Sequence, residues 1–304
     1  MGIWVPHFAL ARMTCPTFST KLLISLAREL AIEGAGTAGD PVPGEGKIVA
    51  GEGIISAGKT RLIGDLVAFV NSKGQTEWTA LFEAADPELL ALFYAHLDDK
   101  PRNPYAFCSQ VSFLQSRILT NLQAQALCGK RNSYGNQCLP SKVVVTDRSM
   151  IGDGVFAIAN RLLSGILPEE YNAYRSIRRS HKPLTQDVTL FLDVNPQRAF
   201  DLMQKRASPY EKTTPMWYLV LLRTVYFHVL RELASTGNAR IAVLRNDPFV
   251  TPSQALHAIE HAPSTELTAS IWARAKVSDN SDEAVDAAFE ALHALYKDET
   301  HCSV

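Results

Sequence analysis

The stretch that decides the fold is "GIISAGKT", from Gly53 to Thr60, which fits the pattern G-x-x-x-x-G-K-[S/T] at every fixed position. Glycines let such a loop turn its backbone N–H groups inward toward phosphate oxygens, while Lys59 reaches the terminal phosphates and the Thr60 hydroxyl can bind Mg²⁺. A glycine-rich turn that binds nothing is the alternative. The predicted nucleotide-binding residues are Gly53, Ile54, Ile55, Ser56, Ala57, Gly58, Lys59 and Thr60.

The flanking sequence provides the strand before and the helix after that this kind of loop requires. Short runs rich in Val, Ile and Leu at consecutive positions indicate strands buried on both faces, as in a parallel sheet. The predicted strands are Lys47–Ala50, Lys142–Thr146, Val188–Val194 and Ala239–Leu244, with a fifth, of poorer pattern, near Gln75–Leu81.

Helical patterns separate these strands. Apolar residues recur every three or four positions from Phe107 to Leu122, a second helix runs from Pro215 to Leu233, and a terminal amphipathic helix is predicted to be capped near Asn280. Alternating strands and helices favour an α/β, doubly wound, three-layer fold, with a parallel sheet of about five strands flanked by helices.

Composition narrows the possible partners. The 304 residues are 46% hydrophobic, which suffices for a sizeable core, and the net charge of -1 does not favour a nucleic-acid or acidic-membrane partner. No apolar run reaches the length that spans a bilayer. The five cysteines are scattered without a Cys-x-x-Cys pair, which argues against a disulfide framework and for a reducing compartment.

Residues 1–45 are predicted to be an N-terminal extension and linker, and residues 46–304 one domain. No acidic residue precedes Glu29, and the segment is rich in Ser and Thr. It is interpreted as a poorly ordered extension, a helix packed on the domain, or a transit peptide. Glu33–Gly46 has the composition of a linker. The expected compartment is the cytoplasm, or the mitochondrion if a transit peptide is present.

A second polar motif follows the predicted strand Lys142–Thr146. The chain has no Asn-Lys-x-Asp, which a GTPase would use to read guanine, and no strand that ends in Asp-Glu as in motors. Instead Asp147 and Arg148 stand at the carboxyl edge of the strand, where open α/β sheets bind ligands. The carboxylate can hold Mg²⁺ and the guanidinium can bind a phosphoryl oxygen, although a salt bridge at the strand end is the alternative.

In their order along the chain, four landmarks resemble the deoxyribonucleoside kinases, a family that includes deoxycytidine, deoxyguanosine and broad-specificity nucleoside kinases. The resemblance covers Ile48 to Asp247. It implies a P-loop kinase fold with a lid, ATP with Mg²⁺, a deoxynucleoside substrate and a homodimer. The landmarks are Glu52-Gly53, "YAFCSQVSFLQSRI" (Tyr105–Ile118), Asp147-Arg148-Ser149 and a lid, "LDVNPQRAFDLMQKRASPYEKTTPMWYL" (Leu192–Leu219).

The resemblance also implies roles at the nucleobase. Gln110 corresponds to the glutamine that pairs with the base edge, for which an amide offers both a donor and an acceptor. Arg117 and Asp153 correspond to a pair over the base that occurs in members acting on cytosine or purines, which favours a deoxycytidine or purine preference over strict thymidine use. An exposed helix charge and a turn residue are the respective alternatives.

Further positions are assigned in the same way. Phe107 and Phe156 are similar to the walls that sandwich the base, although a Phe on an apolar helix face is commonly core. Tyr94 and Glu211 are similar to the pair that holds the 3′-hydroxyl, and Tyr218 to a packing residue near the lid.

The general base is harder to assign, because the Glu-Pro motif that family members carry after the second strand is missing. Glu77 and Glu83 are both available, and Glu77 is chosen because it matches the family spacing from Lys59. It would accept the proton of the 5′-hydroxyl. An ordinary surface glutamate is the alternative.

The lid departs from the family as well. Arg206 is kept as a catalytic and ATP-binding residue, but Leu202 and Ser208 stand where other arginines are expected. Lys205 is a partial substitute without the bidentate fork. The basic run Tyr174–Lys182 is either a further source of positive charge or a solvated helix face.

These residues together favour an enzyme that transfers the γ-phosphate of ATP to the 5′-hydroxyl of a deoxynucleoside. A thymidine-preferring kinase is a second hypothesis. A third, of another class, is a P-loop protein that binds nucleotide, has lost catalysis and regulates a partner.

Overall fold

The computed structural model describes residues 18–34, 46–74, 77–84, 86–97, 102–128, 143–181, 186–247, 249–275, 277 and 281–299. Within them, five strands form one sheet in the order β2-β3-β1-β4-β5, and every pair is parallel. The fold is therefore α/β with helices on the sheet, as the sequence predicted. The strands are β1 Lys47–Glu52, β2 Trp78–Leu81, β3 Val143–Asp147, β4 Val188–Asp193 and β5 Ile241–Arg245.

The described helices follow and separate the strands. They are α1 Thr20–Gly34, α2 Lys59–Ser72, α3 Pro87–Ala95, α4 Ala106–Leu127, α5 Met150–Leu162, α6 Pro168–Ser180, α7 Pro196–Arg206, α8 Met216–Ser235, α9 Pro252–Glu260, α10 Thr265–Arg274 and α11 Asp282–Glu299. None of them is both long enough and apolar enough to cross a membrane.

Burial explains which strands were easy to predict. All six residues of β4 are buried, as are all of β1 after Lys47, which is the pattern of central strands covered on both faces. β2 is an edge strand of four residues in which only Trp78 is buried, and its sequence pattern is correspondingly poor.

Helix α8 forms the middle of the core. Fifteen of its residues are buried, and it packs against α1, α5, α7, α10 and α11. Helix α11 packs against both the sheet and α8. The Phe289 ring stacks on Phe191 of β4 at 5.4 Å and contacts Phe227 of α8 edge-on. At the start of α11, Ser281 accepts a hydrogen bond from the N–H of Ala284. Asn280, near which the cap was predicted, lies outside the described residues.

Part of the predicted N-terminal extension belongs to this core. Helix α1 packs against α5 and α8 through an apolar face that includes Leu23, Leu26 and Leu30, each at most 6% exposed. Residues 1–17 and most of the predicted linker, 35–45, lie outside the described residues. The division of the chain at residue 46 stays a prediction.

Candidate active site

The glycine-rich loop joins β1 to α2 at the carboxyl edge of the sheet. Gly53 (φ 150°) and Gly58 (φ 86°) both have backbone conformations that L side chains rarely adopt. A Cβ at Gly53 would stand 2.8 Å from the carbonyl oxygen of Leu192, and one at Gly58 would stand 3.0 Å from Nδ2 of Asn246. Both glycines are thus required by conformation and by space.

Lys59 is folded across this loop. Its Nζ donates hydrogen bonds to the carbonyl oxygens of Gly53 (3.2 Å) and Ile54 (2.9 Å), and the side chain is buried. Burial, followed by the positive charge of Arg148, lowers the pKa of Lys59 to about 7. An anion within the loop would favour the ammonium form, so Lys59 is placed to bind phosphate.

Thr60 and Asp147 stand side by side between the loop and β3. The Thr60 hydroxyl donates to Oδ2 of Asp147 at 2.5 Å, while Oδ1 of Asp147 is buried without a hydrogen-bond partner among the described residues. Within the described part of the chain, no cluster of three His, Cys, Asp or Glu residues could hold a metal. Hydroxyl and carboxylate oxygens nevertheless fit Mg²⁺, which commonly takes its other ligands from phosphate and water.

Arg148 follows β3 with a left-handed backbone (φ 72°). Its Nη1 donates to the carbonyl oxygen of Gly53 and to the hydroxyl of Tyr226, both at 3.0 Å. Its guanidinium lies 4.7 Å from the centre of the Phe156 ring. The arginine is therefore fixed beside the loop, although its side chain still lines the cavity.

The glutamate of the Glu52-Gly53 landmark is completely buried and holds the Asp147-Arg148-Ser149 segment. Its Oε1 accepts hydrogen bonds from the N–H (2.8 Å) and hydroxyl (2.6 Å) of Ser149 and from the N–H of Gly152 (3.2 Å). Its Oε2 accepts from the Tyr226 hydroxyl at 2.8 Å. This carboxylate joins β1, α5 and α8 directly behind the loop.

The assignment of Glu77 as the general base requires correction. Glu77 is exposed, precedes the first residue of β2 and does not line the cavity, because the amino ends of parallel strands lie at the edge opposite the loop. Glu83 follows the carboxyl end of β2 and does line the cavity. Its carboxylate pairs with Arg117 and lies 3.3 Å from Nε of Arg148.

A single cavity of about 590 Å³ connects these groups with Gln110. The Gln110 amide nitrogen donates to Oδ1 (2.8 Å) and to the carbonyl oxygen (3.0 Å) of Asp153, and its amide oxygen accepts from Asn160 (3.4 Å). The Tyr174 hydroxyl donates to Oδ2 of Asp153 at 2.5 Å. The amide and the carboxylate are thus held in fixed orientations at the end of the cavity away from the loop.

Arg117 lies on the same helix as Gln110 and is 4% exposed. Apart from its pairing with Glu83, its Nε and Nη1 are buried without partners among the described residues. Two N–H donors without partners are costly unless a ligand accepts from them. Arg117 is therefore a buried cavity residue rather than an exposed helix charge.

The raised pKa of the Asp153 carboxyl should make ligand affinity depend on pH. Burial raises its pKa to about 6, against the lowering effects of the Tyr174 hydrogen bond and of Arg117. We expect the Kd of a ligand that contacts Gln110 to rise up to about tenfold per pH unit below that value, as the charge that orders Gln110 and faces Arg117 is lost. Since the folded-state pKa is raised, Asp153 lowers folding stability above pH 6 and this cost disappears on acidification.

Calorimetric titrations between pH 5 and 7.5 would measure this dependence, with Asp153→Asn as the control because an amide does not titrate. An equally steep acid limb in the control would assign the dependence to another group.

The cavity walls agree with only part of the sequence assignment. Phe156, Tyr94, Glu211, Arg206 and Leu202 line the cavity, and Arg206 pairs with Glu211.

Phe107 does not line it, and its interpretation as a wall requires correction, because its half-buried ring packs against the core. Phe113, three residues after Gln110 and so on the same helix face, takes that place. Tyr218 is completely buried and donates to Asn160 (3.4 Å).

Other lining residues were not predicted. Leu90 and Phe93 of α3 belong to no motif, and only their helical spacing could have pointed to them. Ser109 of α4 lies inside the landmark Tyr105–Ile118 but was given no role.

The described arginines of the basic run on α6 do not line the cavity, nor do they form only a solvated face. Arg175, Arg178 and Arg179 pair with Glu33 of α1, and Arg178 is 4% exposed. Lys205 is exposed and does not line the cavity.

At the opposite end, Phe249 forms an exposed platform beside Gly58. The guanidinium of Arg61 lies 5.3 Å and that of Arg198 5.2 Å from the centre of its ring. Asn246 holds this segment to the loop, since its Nδ2 donates to the carbonyl oxygen of Ala57 at 2.5 Å. An exposed aromatic ring beside the loop offers a surface on which a heterocycle could stack.

The fold and the site together define a P-loop nucleotide-binding protein with a buried polar subsite in the same cavity. The family model described as deoxynucleoside kinase matches residues 49–262, and the chain belongs to this family.

Among curated relatives, a deoxyguanosine kinase of Dictyostelium discoideum is 34% identical over 63% of this chain and 61% of its own length, so the match spans less than two thirds of that protein. A deoxyadenosine kinase of the same organism is 29% identical over 69% of this chain and 76% of its own length.

A solved structure of M. mycoides deoxyadenosine kinase, with dCMP and dCDP, superposes with a TM-score of 0.53. It covers 70% of this chain and 96% of its own at 17% identity, which supports the shared fold.

Proposed function

We propose that the protein is a deoxyribonucleoside kinase that transfers the γ-phosphate of ATP to the 5′-hydroxyl of a deoxynucleoside. The observation that carries this proposal is that Lys59 and Gln110 line the same cavity. A phosphate loop and an amide that can pair with a base in one cavity suit the two substrates of the reaction.

Each end has a defined task. The donor binds with its phosphates in the loop Gly53–Thr60 and with adenine on the Phe249 ring. Thr60 and Asp147 would hold Mg²⁺, which supplies neutralisation of phosphate charge when bound. Tyr94 and Glu211 face the sugar from the middle of the cavity.

Glu83 takes the role of base. The 5′-oxygen forms a bond to the γ-phosphorus as the bond from that phosphorus to the β,γ-bridging oxygen breaks, and the hydroxyl proton passes to the Glu83 carboxylate. Arg148 lies beside Glu83 and the loop, where it can stabilise the charge on the transferred group. Arg206 can do the same from α7.

We further propose a purine deoxynucleoside as substrate, with deoxyguanosine first. Nε and Nη1 of Arg117 have no hydrogen-bond partner among the described residues, and O6 or N7 of guanine could accept a hydrogen bond from one of them. Two relatives, a deoxyguanosine kinase and a deoxyadenosine kinase, support the choice of a purine.

The test is a panel of four deoxynucleosides incubated with labelled ATP and Mg²⁺. We expect 5′-monophosphates from deoxyguanosine and deoxyadenosine at kcat/KM at least about tenfold above that for thymidine, a difference that one hydrogen bond to a charged group can supply. Lys59→Ala serves as the control for label transfer by a contaminant. Tight ATP binding without turnover on any of the four would instead support the regulatory protein.

We also propose an oligomeric state and a compartment. A homodimer is supported by two exposed leucines of α4, Leu119 (67% exposed) and Leu122 (39%). A cytoplasmic or mitochondrial location agrees with Cys108 and Cys128 being present as thiols.

A further inference from the structure

Helix α1 precedes the part of the chain that matches the family model, yet it contacts the elements that build the nucleobase end of the cavity. Its Leu30 occupies the space beside Gly154 of α5, where an added Cβ would stand 2.4 Å from Leu30 Cδ1. Gly154 directly follows Asp153, the residue that holds Gln110. The backbone that carries Asp153 is therefore packed against α1.

A second contact runs through charge. Glu33, in the last turn of α1, has a side chain that is only 8% exposed, and it faces three arginines of α6. Its Oε1 lies 2.5 Å from Arg175 and 2.6 Å from Arg179, and its Oε2 lies 3.4 Å from Nη1 of Arg178. Arg175 also pairs with Glu29 at 2.6 Å.

Helix α6 passes this constraint to the site. Tyr174 stands beside Arg175 on the same helix, is completely buried and donates to Oδ2 of Asp153. Arg178, one turn further on, is close enough to Asp153 to lower the pKa of its carboxyl. Without Glu33, three arginines of one helix would repel each other next to this hydrogen bond.

We propose that Glu33 is a positioning residue for nucleoside binding: it holds α6 where Tyr174 can orient Asp153 and, through it, Gln110. This inference rests on the proposed function. Glu33 itself does not line the cavity, so its charge acts on the substrate through α6, with which it forms ion pairs.

The test is the steady-state kinetics of Glu33→Gln, which keeps the shape of the side chain and removes its charge. We expect the KM for the deoxynucleoside to rise about fivefold to tenfold, while the KM for ATP and kcat change less than about twofold. Tyr174→Phe should raise the same KM, and the double variant should do so by less than the product of the two effects, because both act on Asp153.

Glu232→Gln is the matched control. Glu232 of α8 pairs with Arg28 of α1 at 3.3 Å, so this change also weakens the attachment of α1 but does not touch α6. We expect wild-type KM values from it. Equal KM changes in Glu232→Gln and Glu33→Gln, or a Glu33→Gln variant with lowered thermal stability and an unaltered nucleoside KM, would overturn the inference.

Failure of the proposed function would be distinguishable from these outcomes. An active wild type with unchanged Glu33→Gln kinetics overturns the positioning role alone. A wild type that neither phosphorylates nor binds any deoxynucleoside by calorimetry overturns both.

Discussion

Glu83→Gln is expected to lower kcat by about 10²- to 10⁴-fold, the usual contribution of a general base. The amide keeps the size of the side chain and can still accept hydrogen bonds from Arg117 and Arg148, but it cannot accept the 5′-hydroxyl proton. ATP affinity should stay near that of the wild type, because Glu83 makes no hydrogen bond to the phosphate loop. Single-turnover kinetics with saturating ATP and calorimetric ATP binding measure the two quantities separately.

Glu77→Gln is the matched control for this prediction. Glu77 is exposed at the amino end of β2, so its replacement should leave kcat within about twofold, as is usual for surface substitutions away from a site. If Glu77→Gln were inactive and Glu83→Gln active, the assignment of the base would have to be reversed.

Glu52→Gln is expected to destabilise the fold by about 3 kcal/mol, because hydrogen bonds to a buried charged group are lost and a donor is left without an acceptor. All four groups that contact this carboxylate are donors, so either orientation of an amide would set its NH₂ against one or more of them. Arg148 would lose a nearby negative charge at the same time. Urea denaturation followed by circular dichroism measures the change in the free energy of unfolding.

Tyr226→Phe is the reference variant against which the loss of stability in Glu52→Gln is compared. It removes one donor to Glu52 and one acceptor of Arg148, and should cost about 1 kcal/mol, the net value of an ordinary hydrogen bond. A Glu52→Gln variant as stable as Tyr226→Phe would mean that the carboxylate is not needed as a charge behind the loop.

The sheet could be predicted because its information is local. β1, β3 and β4 have neighbours on both sides and carry consecutive apolar residues, and β5 carries the same pattern at the edge of the sheet. All four were predicted within two residues at either end. The phosphate loop was predicted for the same reason, since the fixed positions of its pattern all lie in the short stretch Gly53–Thr60.

The base could not be assigned from spacing because the decisive information is the edge of the sheet at which a residue lies. Glu77 and Glu83 flank a strand of only four residues, and the poor pattern of that strand did not fix where it begins. The register of β2 on β3, with Trp78 beside Val143 and Leu81 beside Thr146, shows which glutamate lies at the same edge of the sheet as the loop.

Local sequence patterns do not predict the contacts of the basic run on α6 either. Glu33 and Arg179 are 146 positions apart in the chain, so no periodicity relates them. Phe107 was assigned from the family resemblance, whereas Phe113, also three residues from Gln110 on α4, lines the cavity. The spacing is the same for both, so the sequence does not show which of them faces the cavity.

The packing of α1 and α11 has a practical consequence for shortened versions of this protein. A chain trimmed to residues 49–262, the region that the family shares, would begin inside β1 and lack both helices. It would expose to water the apolar surfaces of α5 and α8 beneath Leu23 and the ring of Phe191 beneath Phe289. Such a fragment should aggregate on expression, so recombinant boundaries are better drawn from the three-dimensional packing than from the extent of the alignment.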